Sequence, residues 1–570
     1  MTSRSYFPKA ISNAKHYFVN LHLFISLKNQ NPRNVRKIFT ILSVSFSLIA
    51  TAQTELVFVF FKDKPNKAAF YSNPLSELTQ KSLDRRTNLG IPLMDQDAPI
   101  EPTYITNIQN LGFDVNDYSK WLNGVAVNAI SEQIQTLSQQ SYVDHVESFV
   151  RNPNGGKRKD KIEKFKEFDQ ANANRGILTN FNYGEGLAQI NQVNIRALHV
   201  AGFTGTGMTI AVIDTGFPSV NTGNAFKRLR DNGQIKGGYN FIGKNTDIYN
   251  TSLNTHGSIC LGTIGGYLDN QFVGTAPDAD FYLYASEDGE NEIPEEQLYW
   301  IEAAEEADRK GVDVITTSLG YYQFDDSRYD YTYSDMNGTT SFIARGAQIA
   351  TEKGIFVTFA AGNEGNNDWH YIITPADNTK VFTIGAVTSQ GSSSSFSSYG
   401  PNSAGATKPD GSARGSEVYT VYGNQVTQAS GTSLANPLAA GGVACLLQSL
   451  SKNISRDEIK TKLRQNASLY PNTSPQMGYG ILNFYKTYQS YLDVNDIKKN
   501  QVKVYPNPAK DVINISSDKP IQSVEIYDVL GRLIKTETKN NVNISQLSKG
   551  NYLLKIKTGD QQIIEKLIKQ

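Results

Sequence analysis

Residues 208–216 read Met-Thr-Ile-Ala-Val-Ile-Asp-Thr-Gly, an apolar, β-branched run that breaks off at Asp214 into a glycine turn. A run that is apolar throughout, rather than alternating, predicts a strand buried on both faces. The same signature recurs downstream in DFYLYAS (280–286), GVDVITTSLG (311–320), GIFVTFAAGN (354–363) and VFTIGAVT (381–388), each ending in Gly, Asp, Asn or a small residue. Helix-like stretches lie between several of them, such as PEEQLYWIEAAEEADRKG (294–311) and TSFIARGAQIATEKG (340–354). Strands alternating with helices predict a mostly parallel sheet flanked by helices, an α/β fold. In such sheets the chemistry collects beyond the carboxyl ends of the strands, where Asp214, Ser318 and Asn363 fall.

Two further stretches join Asp214. NTHGSICLGTIGG (254–266) sets His256 at a small-residue helical stretch, and GTSLANPLAAGGVACLL (431–447) sets Ser433 at the opening of a long apolar helix. A serine hydroxyl is a weak nucleophile at neutral pH and needs an adjacent base. Imidazole can take that proton and return it, and a buried carboxylate fixes its tautomer. Asn363 can offer a side-chain amide, and Ser433 a backbone N–H at a helix start, to a developing oxyanion. Singly each residue has a plainer reading, as turn, core histidine or helix cap; in one order on one sheet they point to nucleophilic catalysis.

With these motifs, residues from about 183 to 490 resemble the subtilisin-like serine proteases, whose chain order is also Asp, His, Ser. AVIDTG, THGS, SLG, AAGNEG and GTSLANP carry the resemblance, with FSSYGP (396–401), Lys408 to Asp410 and GYGILN (478–483). It implies a seven-stranded parallel sheet and endopeptidase activity through Asp214, His256 and Ser433. It also implies a substrate-pairing edge at Ser318, Leu319 and Gly320, and a side-chain pocket around Ala361 and Gly362. Leu434 stands where the family usually has methionine, a volume-conserving change. Ser258, Ile259 and Cys260 stand where Thr, His and Val are common. Cys260, one turn from His256, reads as packing, with sensitivity to thiol reagents as the alternative. A catalytically inactive binding or adhesion protein on the same fold is the competing reading. An α/β-hydrolase esterase is disfavoured, because Ser433 lies in G-T-S-L-A and not G-x-S-x-G.

The flanks carry their own signals. Arg36 and Lys37, the apolar run 38–50 and Ala50-Thr51-Ala52 predict a signal peptide, with 1–52 as leader. The stretch ahead of the basic pair is longer than a usual n-region, which fits an extended leader or a misassigned start. Residues 53–150, with WLNGVAVNAI, SEQIQTLSQQ and VDHVESF, resemble the family's inhibitory propeptide, a small α+β pro-domain; a retained binding domain is the alternative. The lysine-rich stretch within 151–182 reads as a solvated linker. The peptidase domain is expected over 183–492, with YLDVNDIKKN as a linker after it. Residues 497–570 predict a small antiparallel β-sandwich. VYPNPAKD (504–511), IYDVLGRLI (526–534), LSKGNYLLKI (547–556) and the terminal KLIK resemble the sorting domain read by outer-membrane Por-type secretion machinery.

With 55 basic and 55 acidic residues the formal net charge is zero, so no global field favours nucleic acid. The expected partners are protein or peptide substrates and the secretion machinery, with the chain a monomer at the cell surface or in the medium. No cofactor is required for catalysis; a structural calcium is the candidate ion, at Asp325-Asp326 or among Asp330 to Asp335, which otherwise read as exposed loop. Cys260 and Cys445 read as buried free thiols, with a disulfide as the alternative.

Overall fold

A computed structural model describes residues 53–162, 164–165, 181–495, 502–517, 519–529, 531–558 and 561–570. The leader expected over 1–52 lies outside the described residues, as do 166–180 of the linker and 496–501.

The central element is a seven-stranded sheet in the order Gly411–Arg414, Phe382–Val387, Phe356–Ala360, Val314–Thr317, Thr209–Asp214, Asp280–Ala285, Ile235–Asn240. Every neighbouring pair is parallel. Alternate side chains of each strand feed opposite cores, as a period of two requires. Ile210, Val212, Val314 and Phe356 join one cluster, with Leu261, Leu438 and Val443. Ala211, Ile213, Ile315 and Val357 join the other, with Trp300, Ile301 and Phe342. The chain order reverses between Thr209–Asp214 and Val314–Thr317, which pair directly. A crevice opens beyond the strand ends at such a reversal.

Two helices pack on the first face, with Leu261, Ile264, Leu438 and Val443 in its core. His256–Gly265 and Thr432–Ser449 are buried along nearly their whole lengths. A Cβ on Gly262 would lie 2.4 Å from the carbonyl oxygen of Val421, and one on Gly441 would lie 2.0 Å from Thr275 Oγ1. These glycines let the first helix lie against the strand Val418–Tyr422 and the second against the segment that carries Thr275.

The N-terminal unit is a four-stranded antiparallel sheet, ordered Asp117–Ser119, Gly124–Ala129, Glu55–Phe61, Val143–Ser148. Val57, Val59, Val125 and Val127 pack with Ile108 and Leu137 on one face. The other face, with Leu56, Phe58 and Ala126, joins the core around helices Glu296–Lys310 and Phe342–Glu352. Phe149 stacks on Phe342 with ring centroids 3.9 Å apart. Glu305 accepts from Ser119 Oγ at 2.6 Å and from the Trp121 backbone N–H at 3.0 Å. A buried charge network crosses the same interface: Asp308 bonds Arg85 and, at 2.7 Å, Arg86; Asp97 bonds Arg86 at 2.9 Å and Lys353 at 3.1 Å.

The C-terminal unit is a sandwich of a three-stranded and a four-stranded antiparallel sheet over Val502, Ile513, Ile526, Leu554 and Leu567. Its two sequence motifs meet: the Ala509 N–H donates to Ile568 at 2.8 Å, and Gln570 donates back to Ala509 at 2.8 Å. Tyr527 and Leu553 join the main core, and Gln562 donates to Ala201 at 3.0 Å.

Two expectations need correction. Residues 151–162 are not a solvated hinge but lie along the loop after Val314–Thr317: Arg158 pairs with Asp330 at 2.7 Å, and Lys157 forms a β-bridge with Asp326. The sequence placed a linker at Tyr491, whereas the helix Phe484–Asn495 continues through that position.

Removing one partner of a buried ion pair strands the other charge and costs about 3–5 kcal/mol. Asp308→Asn is therefore expected to lower the unfolding free energy by about that much in a urea titration. Lys67→Ala, at an exposed pair with Asp95, should leave it unchanged. Equal, small effects would show that the buried network does not hold the two units together.

Candidate active site

Asp214 is the last residue of the central strand and is fully buried. Its Oδ1 accepts from the Thr215 N–H at 2.8 Å and lies 2.7 Å from His256 Nδ1. His256 is the first residue of its helix, and Asn254 Oδ1 accepts its backbone N–H at 2.9 Å. Gly257 makes this approach feasible, because a Cβ there would sit 2.4 Å from the Gly216 carbonyl oxygen and 3.0 Å from Asp214 Cβ.

Ser433 is the second residue of helix Thr432–Ser449, whose first turn is held from two sides. Asn363 Oδ1 accepts from the Thr432 N–H at 2.9 Å and from its hydroxyl at 3.0 Å. A Cβ on Gly431 would meet Ser433 Oγ at 2.7 Å and Asn363 Nδ2 at 3.7 Å, so these groups flank one point. On the other side, Ser318 Oγ donates to the Ser433 carbonyl at 2.9 Å, and Asn436 Nδ2 donates to Thr317 O at 2.8 Å. Asn436 was not singled out in the sequence; its signal is a buried amide one turn after Ser433.

A cleft of about 800 Å³ opens over these groups. His256, Asn363 and Ser433 line it, as do Ser318, Leu319, Gly320 and Gly362. Ala361 is fully buried and does not face the cleft; Ala360 stands there instead. Gly362 has φ +108°, and a Cβ would meet Ser398 Oγ at 2.7 Å, so the wall admits no side chain there.

Cys260 and Cys445 are free and buried. Cys260 Sγ lies 3.7 Å from His256 Nδ1 and 3.4 Å from the Ser433 carbonyl oxygen. Burial, and then Asp214, push its thiol well above the ordinary range, which disfavours a reactive thiolate. The acidic loop carries its own partners: Asp326 pairs with Arg328 at 2.7 Å, and Asp335 accepts from the Thr332 N–H at 2.8 Å.

The sequence also missed what lies in the cleft. Phe165 has its ring 4.5 Å from that of His256. Lys164 Nζ reaches Glu287 at 2.5 Å, Glu296 at 2.9 Å and Glu292 at 3.3 Å. The signal available in the sequence was the density of acids in SEDGENEIPEE (286–296), running into the helix-like stretch 294–311.

Comparison with known proteins agrees with this architecture. Residues 205–480 match the subtilase family, 56–166 the peptidase S8 propeptide domain of Bacteroidota, and 503–570 the secretion system C-terminal sorting domain. "Serine protease AprX" of Bacillus subtilis is 30% identical over 312 residues, covering 49% of this chain and 66% of that protein. "Thermostable alkaline protease" of Halalkalibacterium halodurans is 30% identical over 300 residues, 51% of this chain and 71% of its own length. "Subtilisin DY" of Bacillus licheniformis is 29% identical over 309 residues, 53% and 96% respectively. Among the described residues no helix is long and apolar enough to cross a membrane. The sorting domain marks the chain for export to the cell surface or the medium. Preceded by a propeptide and followed by this sorting domain, the chain belongs to the subtilase family of serine endopeptidases.

Proposed function

We propose that this secreted endopeptidase hydrolyses peptide bonds through Ser433, His256 and Asp214 by way of an acyl-enzyme. The carrying observation is the buried 2.7 Å contact between His256 Nδ1 and Asp214 Oδ1, with Ser433, in the first turn of a buried helix, lining the same cleft as His256. In this reading Asp214 holds the Nδ1–H tautomer, so that Nε2 carries the lone pair that acts as the base. Ser433 Oγ attacks the substrate carbonyl carbon as Nε2 takes its proton. The C–N bond then breaks, and the amine leaves with that proton, which leaves an ester on Ser433. A water molecule, deprotonated by the same nitrogen, attacks the ester; the acid departs and the proton returns to Ser433. Asn363 Nδ2 and the Ser433 N–H stabilise the oxyanion of each tetrahedral intermediate.

Ser318, Leu319 and Gly320 serve as the edge that pairs with the substrate backbone, and Gly362 as the pocket wall. No step needs a metal or cofactor; a structural calcium is outside the mechanism. The protein acts as a monomer. Residues 53–150 act as the pro-domain, 183–492 as the peptidase and 497–570 as the tail recognised by the secretion machinery, with processing between about 150 and 182.

Two variants test this reading. Ser433→Ala should abolish turnover of a protein substrate and, expressed alone, accumulate unprocessed. Residual turnover near the wild-type rate, or normal maturation in a protease-free host, would contradict it. Asn363→Ala should lower kcat by about a hundred- to a thousandfold with little change in KM, the range known for removing such a donor from subtilisin. A loss confined to KM would place Asn363 in binding and not in oxyanion stabilisation.

A further inference from the structure

The pocket around Lys164 is built for a cation. Three carboxylates, Glu287, Glu292 and Glu296, place oxygens within 4.8 Å of one another in the interior. Their side chains are 3%, 9% and 0% exposed. Burial at this density pushes the Glu292 and Glu296 carboxyls well above the usual range. The pocket is nonetheless held rigidly from outside. Tyr321 Oη donates to Glu287 at 2.8 Å, and the backbone N–H groups of Asp288 and Ile293 donate to Glu296 at 2.7 and 3.1 Å. The Asp288 carbonyl faces inward and accepts from Lys164 Nζ at 2.9 Å.

One ammonium does not use all of this capacity. Glu292 Oε1 is buried with no hydrogen-bond partner among the described residues. Three acids against a single lysine leave an excess of acceptors, an arrangement costly to retain unless something cationic enters. The pocket also opens into the catalytic cleft: Lys164, Glu287 and Glu292 line the same cavity as His256 and Ser433. The next residue, Phe165, rests against the His256 ring. Residues 164–165 thus place a basic side chain in the acidic pocket and an aromatic one over the histidine.

We propose that Glu287, Glu292 and Glu296 form a specificity subsite for a lysine or arginine side chain of the substrate, one residue before the residue that lies against His256, and that Lys164 occupies it as a substrate would. The inference rests on the peptidase reading. A neutral side chain of equal length would bury the three carboxyl groups without supplying a charge or a donor to pair with them. An acidic one would bring a further carboxyl against them. Arginine, with five donors, can also reach the unused Glu292 oxygen.

The test uses the mature wild-type enzyme and internally quenched peptides of residues 160–169, Asp-Lys-Ile-Glu-Lys-Phe-Lys-Glu-Phe-Asp, with Lys, Arg, norleucine or Glu at the Lys164 position. Cleavage sites are read by mass spectrometry. Removing one partner from a buried ion pair supports a preference of at least roughly thirtyfold in kcat/KM for lysine over norleucine. Arginine should match or exceed lysine, and glutamate should be cut most slowly. In Glu292→Gln and Glu296→Gln the lysine-to-norleucine ratio should fall several-fold. Equal cleavage of the lysine and norleucine peptides by the wild-type enzyme would overturn the inference while leaving the peptidase reading intact. Failure to cleave any peptide would instead remove the peptidase reading. The wild-type comparison stands even where a variant does not fold.

Discussion

Seven parallel strands end on one side of this molecule, and two helices begin there. That coincidence depends on how close the helices can come. Leu261, Ile264, Leu438 and Val443 fill the core against the sheet, and at the glycines of His256–Gly265 and Thr432–Ser449 a Cβ would strike a neighbouring segment, so these helices are small-sided at those contacts. The reward is positional. Gly257 lets His256 reach Asp214, and the first turn of the longer helix is pinned by Asn363 on one side and by Ser318 and Asn436 on the other. Preorganisation of this kind matters because a donor or base misplaced by about 1 Å loses much of its effect.

The same structure concentrates buried charge at two places, with different consequences. Between the N-terminal unit and the main domain, the cations Arg85, Arg86 and Lys353 share the carboxylates Asp97 and Asp308, so each of these buried charges has a partner of opposite sign. Beside the cleft, Glu287, Glu292 and Glu296 are compensated among the described residues by Lys164 alone, supplied by the segment that follows the N-terminal unit. A charge balance that depends on a segment of this kind is one that a substrate can take over.

The fold was readable because its strands are long apolar runs with abrupt polar ends, a signal local in sequence. AVIDTG, GVDVITTSLG and GIFVTFAAGN each announce a strand and the residue at its tip, and the small-residue stretches after His256 and Ser433 announce close helix packing. The acidic pocket was not readable. SEDGENEIPEE has the composition of a solvated segment, and the cation that pairs with its buried acids lies 123 to 132 positions away. For the same reason the lysine-rich stretch read as a hinge: charge in a sequence gives no sign of its partner. The exchange of Ala361 for Ala360 in the cleft wall is a matter of which of two adjacent residues faces outward just past a strand end, which apolar patterning does not specify.

The central claim is that Ser433 is the nucleophile, acting in the cleft it shares with His256, the partner of Asp214. Its most direct test is to treat the mature wild-type protein with a fluorophosphonate, digest it, and locate the adduct by mass spectrometry. The account predicts a single adduct, on Ser433, accumulating in step with loss of peptidase activity. An active enzyme that loses activity with the adduct on another residue, or that stays fully active while Ser433 is modified, would contradict it.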